Sequence, residues 1–151
     1  MKPDGTDEIA DALGWDRATA PQVLGIGWYP LDPNAVAEDE ASVDNMRWWM
    51  AGEPAQVMLG ISGRTSLTVA RPKVVWDSQV PLLIAEEPTT EPLNRLDIRE
   101  WVMARTHEVA RQRCSTFRYC RLCRKPVGPE HCNTAPDVCD GCAERFRGYC
   151  F

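Results

Sequence analysis

The cysteines are the residues of this 151-residue chain best suited to chemistry, and all seven lie between positions 114 and 150. Four form two Cys-x-x-Cys pairs, Cys120 with Cys123 and Cys139 with Cys142. A two-residue gap allows a tight turn that points both sulfurs at one spot, and two such turns complete a tetrahedron with Zn–S distances of about 2.3 Å. The spacing therefore predicts one structural zinc ion held by four thiolates.

Three other uses of paired cysteines must be compared with zinc. An iron–sulfur cluster also takes four thiolates and stays open as an alternative. A thioredoxin-like redox motif needs a βαβ context, which neither pair has. A disulfide framework needs an oxidising compartment, and the acidic N-terminus lacks the apolar stretch of a secretory signal. We therefore expect a cytoplasmic protein with reduced cysteines.

The remaining cysteines have other predicted roles. Cys114 and Cys150 are expected to pack as small apolar residues. His131 and Cys132 lie between the two pairs and are the alternative ligands, because either could replace a member of the second pair. A histidine in a polar loop is more often solvated, so we assign the metal to the two Cys-x-x-Cys pairs.

Helices are predicted at three places from apolar spacing and end residues. The first runs from Thr6, as cap, to Leu13, with Gly14 ending it. The second has Asp32 as N-cap and continues to about residue 50. Its apolar face is formed by Val36, Val43, Met46 and Met50. The third runs from Ile98 to Arg113, with Asp97 as cap, and leads directly into the cysteines.

Residues 56–85 have β-type composition, in short apolar runs separated by turn residues. They predict three or four antiparallel strands packed on the second helix. Residues 20–33 are predicted to be a loop, and residues 86–92, "EEPTTEP", a linker. The predicted class is α+β: a small antiparallel sheet with helices over 1–92, then a connecting helix and a four-cysteine zinc finger over 93–151.

Charge is unevenly distributed along the chain. Residues 1–94 carry 6 Lys and Arg against 15 Asp and Glu, a net charge of -9, whereas residues 95–151 carry 11 against 7, a net charge of +4. Residues 111–125 contain six cations and no acid, with Phe117 and Tyr119 interleaved. The candidate contact residues here are Arg111, Arg113, Arg118, Arg121, Arg124 and Lys125. They suit phosphates and stacked bases, or they balance the negative charge of a zinc–thiolate site.

Trp48 and Trp49 form a second candidate partner surface, because adjacent residues on a helix point about 100° apart and one of them would be only half buried. We favour a protein partner over nucleic acid. No apolar run approaches the roughly 18 residues of a membrane helix, and no small-molecule substrate is evident.

The segments "CRLCRKPVGPE" and "VCDGCAERF" resemble the C-terminal finger of the DksA/TraR family, which binds RNA polymerase. The two cysteines at the start of a helix are similar to a treble-clef arrangement. The resemblance covers about 30 residues and implies Cys120, Cys123, Cys139 and Cys142 as ligands. The strand-rich middle of the chain has no counterpart in that family.

An enzyme is the less favoured function class. The chain has no Gly-x-Ser-x-Gly nucleophile motif and no phosphate-binding glycine loop. A His-Asn-His nuclease needs histidines near its finger, and only His107 and His131 occur. We therefore predict a non-catalytic zinc protein that docks on a macromolecule, with transcription as the setting implied by the resemblance. The alternative is an antitoxin-like or immunity-like protein whose acidic half neutralises another protein.

Overall fold

The computed structural model describes residues 4–32, 36, 46–52, 54–63, 65–77, 80–133 and 135–145. Its central element is a five-stranded antiparallel sheet in which the strands follow one another in chain order. The strands are β1 (Trp28–Pro30), β2 (Met46–Ala51), β3 (Val57–Ser62), β4 (Ser66–Asp77) and β5 (Val80–Pro92). With the helices and the cysteine cluster described below, this confirms the predicted α+β class.

The helices and the C-terminal finger complete the described chain. The helices are α1 (Thr6–Leu13), α2 (Thr19–Leu24), α3 (Ile98–Cys114) and α4 (Asp140–Arg145). Between α3 and α4 lie a short hairpin, β6 (Arg118–Tyr119) with β7 (Pro126–Val127), and a 3-10 turn at Pro129–His131.

The sheet has two apolar faces because consecutive strand residues point to opposite sides. Trp49 and Leu59 lie on the face covered by α1, α2 and α3, where they pack with Val102. Met50 and Met58 lie on the other face, in a smaller cluster. The main core therefore lies between the sheet and the first three helices.

The predicted helix at Thr6–Leu13 is confirmed, although its cap differs. The Asp4 carboxylate accepts hydrogen bonds from the Thr6 N–H, at 3.0 Å, and from the Thr6 hydroxyl. Gly14 has φ 71°, the left-handed conformation that ends helices and that glycine adopts without strain. The side chain that caps this helix is thus Asp4 rather than Thr6.

The predicted helix from Ile98 is also confirmed, and it extends to Cys114. Ile98, Val102 and Val109 are buried against the sheet. Asp97 precedes the helix without forming a side-chain cap, because its carboxylate binds the Arg95 guanidinium instead.

The predicted helix over residues 33–50 is wrong in its last turns. Met46–Ala51 is strand β2, paired with β3 from Met46 opposite Ser62 to Ala51 opposite Val57. Large apolar residues at 46, 48 and 50 fit a period of two as well as a helical face, and aromatic residues favour a strand. Val36 forms an isolated bridge with Leu83. The predicted helical positions 33–35 and 37–45 lie outside the described residues.

Two segments that the sequence predicts to be irregular contain regular structure. Residues 20–33, predicted as a loop, contain most of α2 and all of β1. Residues 86–92, predicted as a linker, belong to β5 and pair with β4 as far as Pro92 opposite Ser66. Prolines are tolerated there because β5 is an edge strand. Since α3 shares the sheet's core, the linker prediction is wrong; the division of the chain at residues 92 and 93 stays a prediction.

Candidate metal centre

The first cysteine pair lies in the turn that joins β6 to β7. The Cys120 N–H donates to the Lys125 carbonyl at 3.1 Å, and the Arg124 N–H donates to the Cys120 carbonyl at 2.8 Å. Arg124 has φ 57°, a left-handed conformation that lets the chain reverse within this short turn. The turn brings Cys120 and Cys123 to the same side, as the spacing predicts.

The second pair lies at the start of α4. Cys139 precedes the helix, and its carbonyl accepts a hydrogen bond from the Ala143 N–H at 2.9 Å. Cys142 lies one turn later and is buried with Val138 and Ala143. This confirms two cysteines at a helix start following a cysteine-bearing hairpin.

Asp140, the first residue of α4, fixes the loop between the pairs. Its carboxylate accepts hydrogen bonds from the backbone N–H and the side-chain amide of Asn133, both at 2.8 Å. The loop is thereby held against the start of the helix that carries Cys142.

The four sulfurs converge on one point. The Sγ atoms of Cys120, Cys123, Cys139 and Cys142 all lie within 4.8 Å of one another. The Cys123 and Cys139 sulfurs are 4.0 Å apart. Zn–S bonds of about 2.3 Å place the sulfurs of a tetrahedron about 3.8 Å apart, so only small shifts separate this cluster from a zinc site. The described residues therefore bring together a four-cysteine cluster able to bind a metal ion.

The electrostatics of the cluster favour a cation. Burial raises the pKa of Cys120, but backbone N–H groups of Cys123, Cys139 and Leu122 outweigh it and lower the pKa to about 6. Burial, together with hydrogen bonds to the neighbouring sulfurs, raises the pKa of Cys142 to about 12. Without a cation, thiolates so close cannot all be ionised; a divalent ion removes that conflict because it stabilises each of them.

The alternative ligands lie outside the cluster. Cys132 is buried, and burial raises the pKa of its thiol. The His131 ring meets Trp76 edge to face, with ring centroids 6.0 Å apart. Cys114 is exposed, so the prediction that it packs as an apolar residue is wrong. Cys150 lies outside the described residues.

Arg113 has a structural role that the sequence analysis missed. Its guanidinium donates to the Ala55 carbonyl at 3.1 Å and to both Glu130 carboxylate oxygens, at 3.3 and 2.5 Å. It also lies over the Phe117 ring, 5.0 Å from the centroid. The Arg113 and Glu130 side chains are only 6% and 13% exposed. We call this pair the clamp, because Glu130 belongs to the loop between the cysteine pairs and Ala55 to the turn before β3.

The sequence contains an indication of this role. Val102, Thr106 and Val109 form the buried face of α3, and Arg113 continues that face at the same helical spacing. A cation on the buried face of a helix requires a partner. The loop between the cysteine pairs contains two acids, Glu130 and Asp137, and these were the candidate partners.

The other basic candidates are exposed. Arg121 forms an ion pair with Asp137 at 3.0 Å, and Arg118 approaches the Pro136 carbonyl at 3.5 Å. Arg111, Arg124 and Lys125 are exposed, and no ion pair involves them in the part of the chain that the structure describes. The predicted basic surface therefore loses Arg113 to the clamp and retains the remaining five cations.

The two candidate tryptophans have different surroundings. Trp49 is fully buried, and its indole N–H points to the Glu8 carboxylate at 3.4 Å. Trp48 is half buried and lies across Gly60, whose missing side chain makes room for the ring. Of the two, only Trp48 retains exposed surface.

No protein family, curated protein or solved structure matches this chain. The likeness of the finger to the DksA/TraR family consequently receives no support beyond the cysteine cluster itself. Among the described helices, none has the length and hydropathy needed to cross a membrane.

Proposed function

We propose that this chain is a non-catalytic zinc protein of the cytoplasm that uses its finger to dock on a macromolecule, with a protein as the partner. The observation that carries the proposal is the convergence of Cys120, Cys123, Cys139 and Cys142 within 4.8 Å. A full set of four protein ligands is typical of structural zinc, since catalytic zinc keeps one position open. The metal would stabilise a hairpin and a short helix whose own core is small, with Val138 and Ala143 buried beside the cysteines.

The clamp supports a docking role because it fixes the finger to the five-stranded sheet and its covering helices α1, α2 and α3, which we call the body. The pair is nearly buried, and Arg113 also holds the turn before β3. A finger held in one orientation presents its exposed surface with little loss of conformational entropy on binding. Transcription, suggested by the resemblance of the cysteine segments, is the setting we propose.

A second candidate is a neutralising protein of the antitoxin or immunity kind. The observation that favours it is the charge of -9 over residues 1–94, which suits a basic partner. In this case the body binds the partner, and the finger only stabilises the chain.

Site-specific photo-crosslinking distinguishes the two candidates. A benzoylphenylalanine at Leu122, which is 38% exposed on the finger, is compared with one at Ile26, which is 76% exposed on the body. Docking by the finger predicts one specific protein adduct from position 122, lost when Cys142→Ser removes the metal. Adducts from position 26 alone, unchanged by Cys142→Ser, would favour the neutralising protein and contradict the finger.

A further inference from the structure

The hairpin turn of the finger carries a small amphipathic surface. Tyr119 is 60% exposed and Leu122 is 38% exposed, and Arg124 and Lys125 are exposed beside them. We call these four residues the knuckle face. They lie within seven consecutive residues, and the Cys120 N–H to Lys125 carbonyl bond closes the turn that keeps them close together.

These side chains are not part of the apolar core around the cysteine cluster. Arg118 pairs across the hairpin with Val127, which packs on the cysteine cluster. Tyr119 pairs with Pro126, so its side chain leaves the hairpin on the opposite side, away from that core. Phe117, in contrast, lies under the Arg113 guanidinium. The large exposed fraction of Tyr119 therefore has no explanation in the packing of the finger.

The cations of the basic segment also divide into two groups. Arg113 and Arg121 have carboxylate partners in Glu130 and Asp137. Within the described residues, Arg124 and Lys125 have no acid within ion-pair distance. Two unpaired cations next to two exposed apolar side chains favour an anionic ligand that also has apolar groups.

We propose that the knuckle face binds an acidic protein segment in which carboxylates flank an aliphatic or aromatic side chain, an inference that rests on the proposed function. The apolar side chain of the partner contacts Tyr119 and Leu122, and its carboxylates pair with Arg124 and Lys125. Of the four residues only Tyr119 offers a ring on which a base can stack, whereas an apolar side chain of a protein can contact both Tyr119 and Leu122. A chain of net charge -5 also repels a long polyanion more strongly than a short acidic segment.

The test uses the full-length zinc-loaded protein and fluorescein-labelled twelve-residue peptides, measured by fluorescence anisotropy at low salt. A peptide of Glu-Glu-Leu repeats should bind saturably. Peptides of Glu-Glu-Ser or Gln-Gln-Leu repeats should bind about tenfold more weakly, because the first lacks the apolar side chain and the second lacks the carboxylates. A twelve-nucleotide oligo-dT is the competing probe.

Variants test whether the peptide binds at the knuckle face. Arg124→Gln with Lys125→Gln should weaken binding of the Glu-Glu-Leu peptide about tenfold, and Tyr119→Ala should weaken it by a similar factor. Lys73→Gln with Arg99→Gln removes the same charge from exposed positions on the body and should leave affinity unchanged. Zinc content of each variant shows that the finger is intact.

Three results would overturn the inference: no saturable peptide binding, equal losses in both double variants, or oligo-dT binding more tightly than the peptide. If any of these three results is found together with a specific zinc-dependent crosslink from position 122, the acidic-segment inference is wrong, but the proposed docking function is still supported.

Discussion

Breaking the clamp at Arg113 should destabilise the protein far more than removing any other basic residue of the finger region. Arg113→Met removes the hydrogen bond to the Ala55 carbonyl and both bonds to Glu130, whose side chain is 13% exposed. Leaving one member of a buried ion pair without its partner costs about 3–5 kcal/mol. Because Glu130 retains some exposure and can turn toward water, we expect about 3 kcal/mol.

The assay is urea unfolding in excess zinc at pH 7, followed by tryptophan fluorescence. Arg111→Met is the matched control, since Arg111 is exposed in the same turn of α3 and should cost no more than about 0.5 kcal/mol. The double variant Arg113→Met with Glu130→Leu should recover part of the loss, because no unpaired charge remains in the buried site. A loss for Arg113→Met no larger than that for Arg111→Met would refute the clamp.

The pH dependence of this cost has a defined sign. Burial raises the pKa of Glu130, but the hydrogen bond and charge of Arg113 outweigh it and hold the pKa below its usual value. A depressed carboxyl pKa stabilises the fold above the unfolded pKa, about 4.3, and that stabilisation is lost as pH falls through the folded pKa. Without Arg113, no guanidinium opposes the effect of burial on the pKa of Glu130 in the variant. The difference in unfolding free energy between Arg113→Met and the native protein should therefore shrink as pH falls from about 8 to about 5, because protonation of Glu130 removes the unpaired carboxylate of the variant and the ion pair of the native protein. A difference that grew as pH fell through this range would contradict the assignment.

Two further predictions concern the metal and the sheet. Purified protein should contain about one zinc ion per chain by mass spectrometry, and Cys142→Ser should lose it whereas Cys132→Ser keeps it; loss with Cys132→Ser would mean that the ligands are misassigned. Gly60→Ala should cost about 1–3 kcal/mol in urea unfolding, because its Cβ would lie 2.8 Å from Trp48 Cζ3, whereas Gly141→Ala, with nothing within 4 Å, should cost nothing.

The parts of the structure that the sequence predicted are those decided by local spacing. Two residues between cysteines favour a turn, so the four-cysteine cluster was predictable from the spacing of four positions. The helix at Thr6–Leu13 ends at a glycine, and α3 has apolar residues at helical spacing, so both were predictable from neighbouring residues.

The errors arose where pairing between strands decided the structure. Residues 46–50 have apolar positions that suit a helix, and only the partner strand β3 selects the extended form. Residues 86–92 contain prolines typical of a linker, but their ladder with β4 makes them an edge strand. In both segments the extended conformation depends on pairing with residues distant in sequence, and the local spacing of apolar residues contains no information about that pairing.

The clamp shows how the predicted and the unpredicted parts of the molecule depend on each other. Glu130 lies between the two cysteine pairs, so the same turns that bring the sulfurs together also bring this carboxylate to Arg113. Arg113 in turn belongs to α3, whose buried face forms part of the sheet's core. A metal bound by the finger would restrict the position of Glu130 and so would contribute to the stability of a sheet that contains none of the ligands. The basic segment is thereby divided: Arg113 attaches the finger to the body, while Arg124 and Lys125 are exposed and have no ion-pair partner within the described chain.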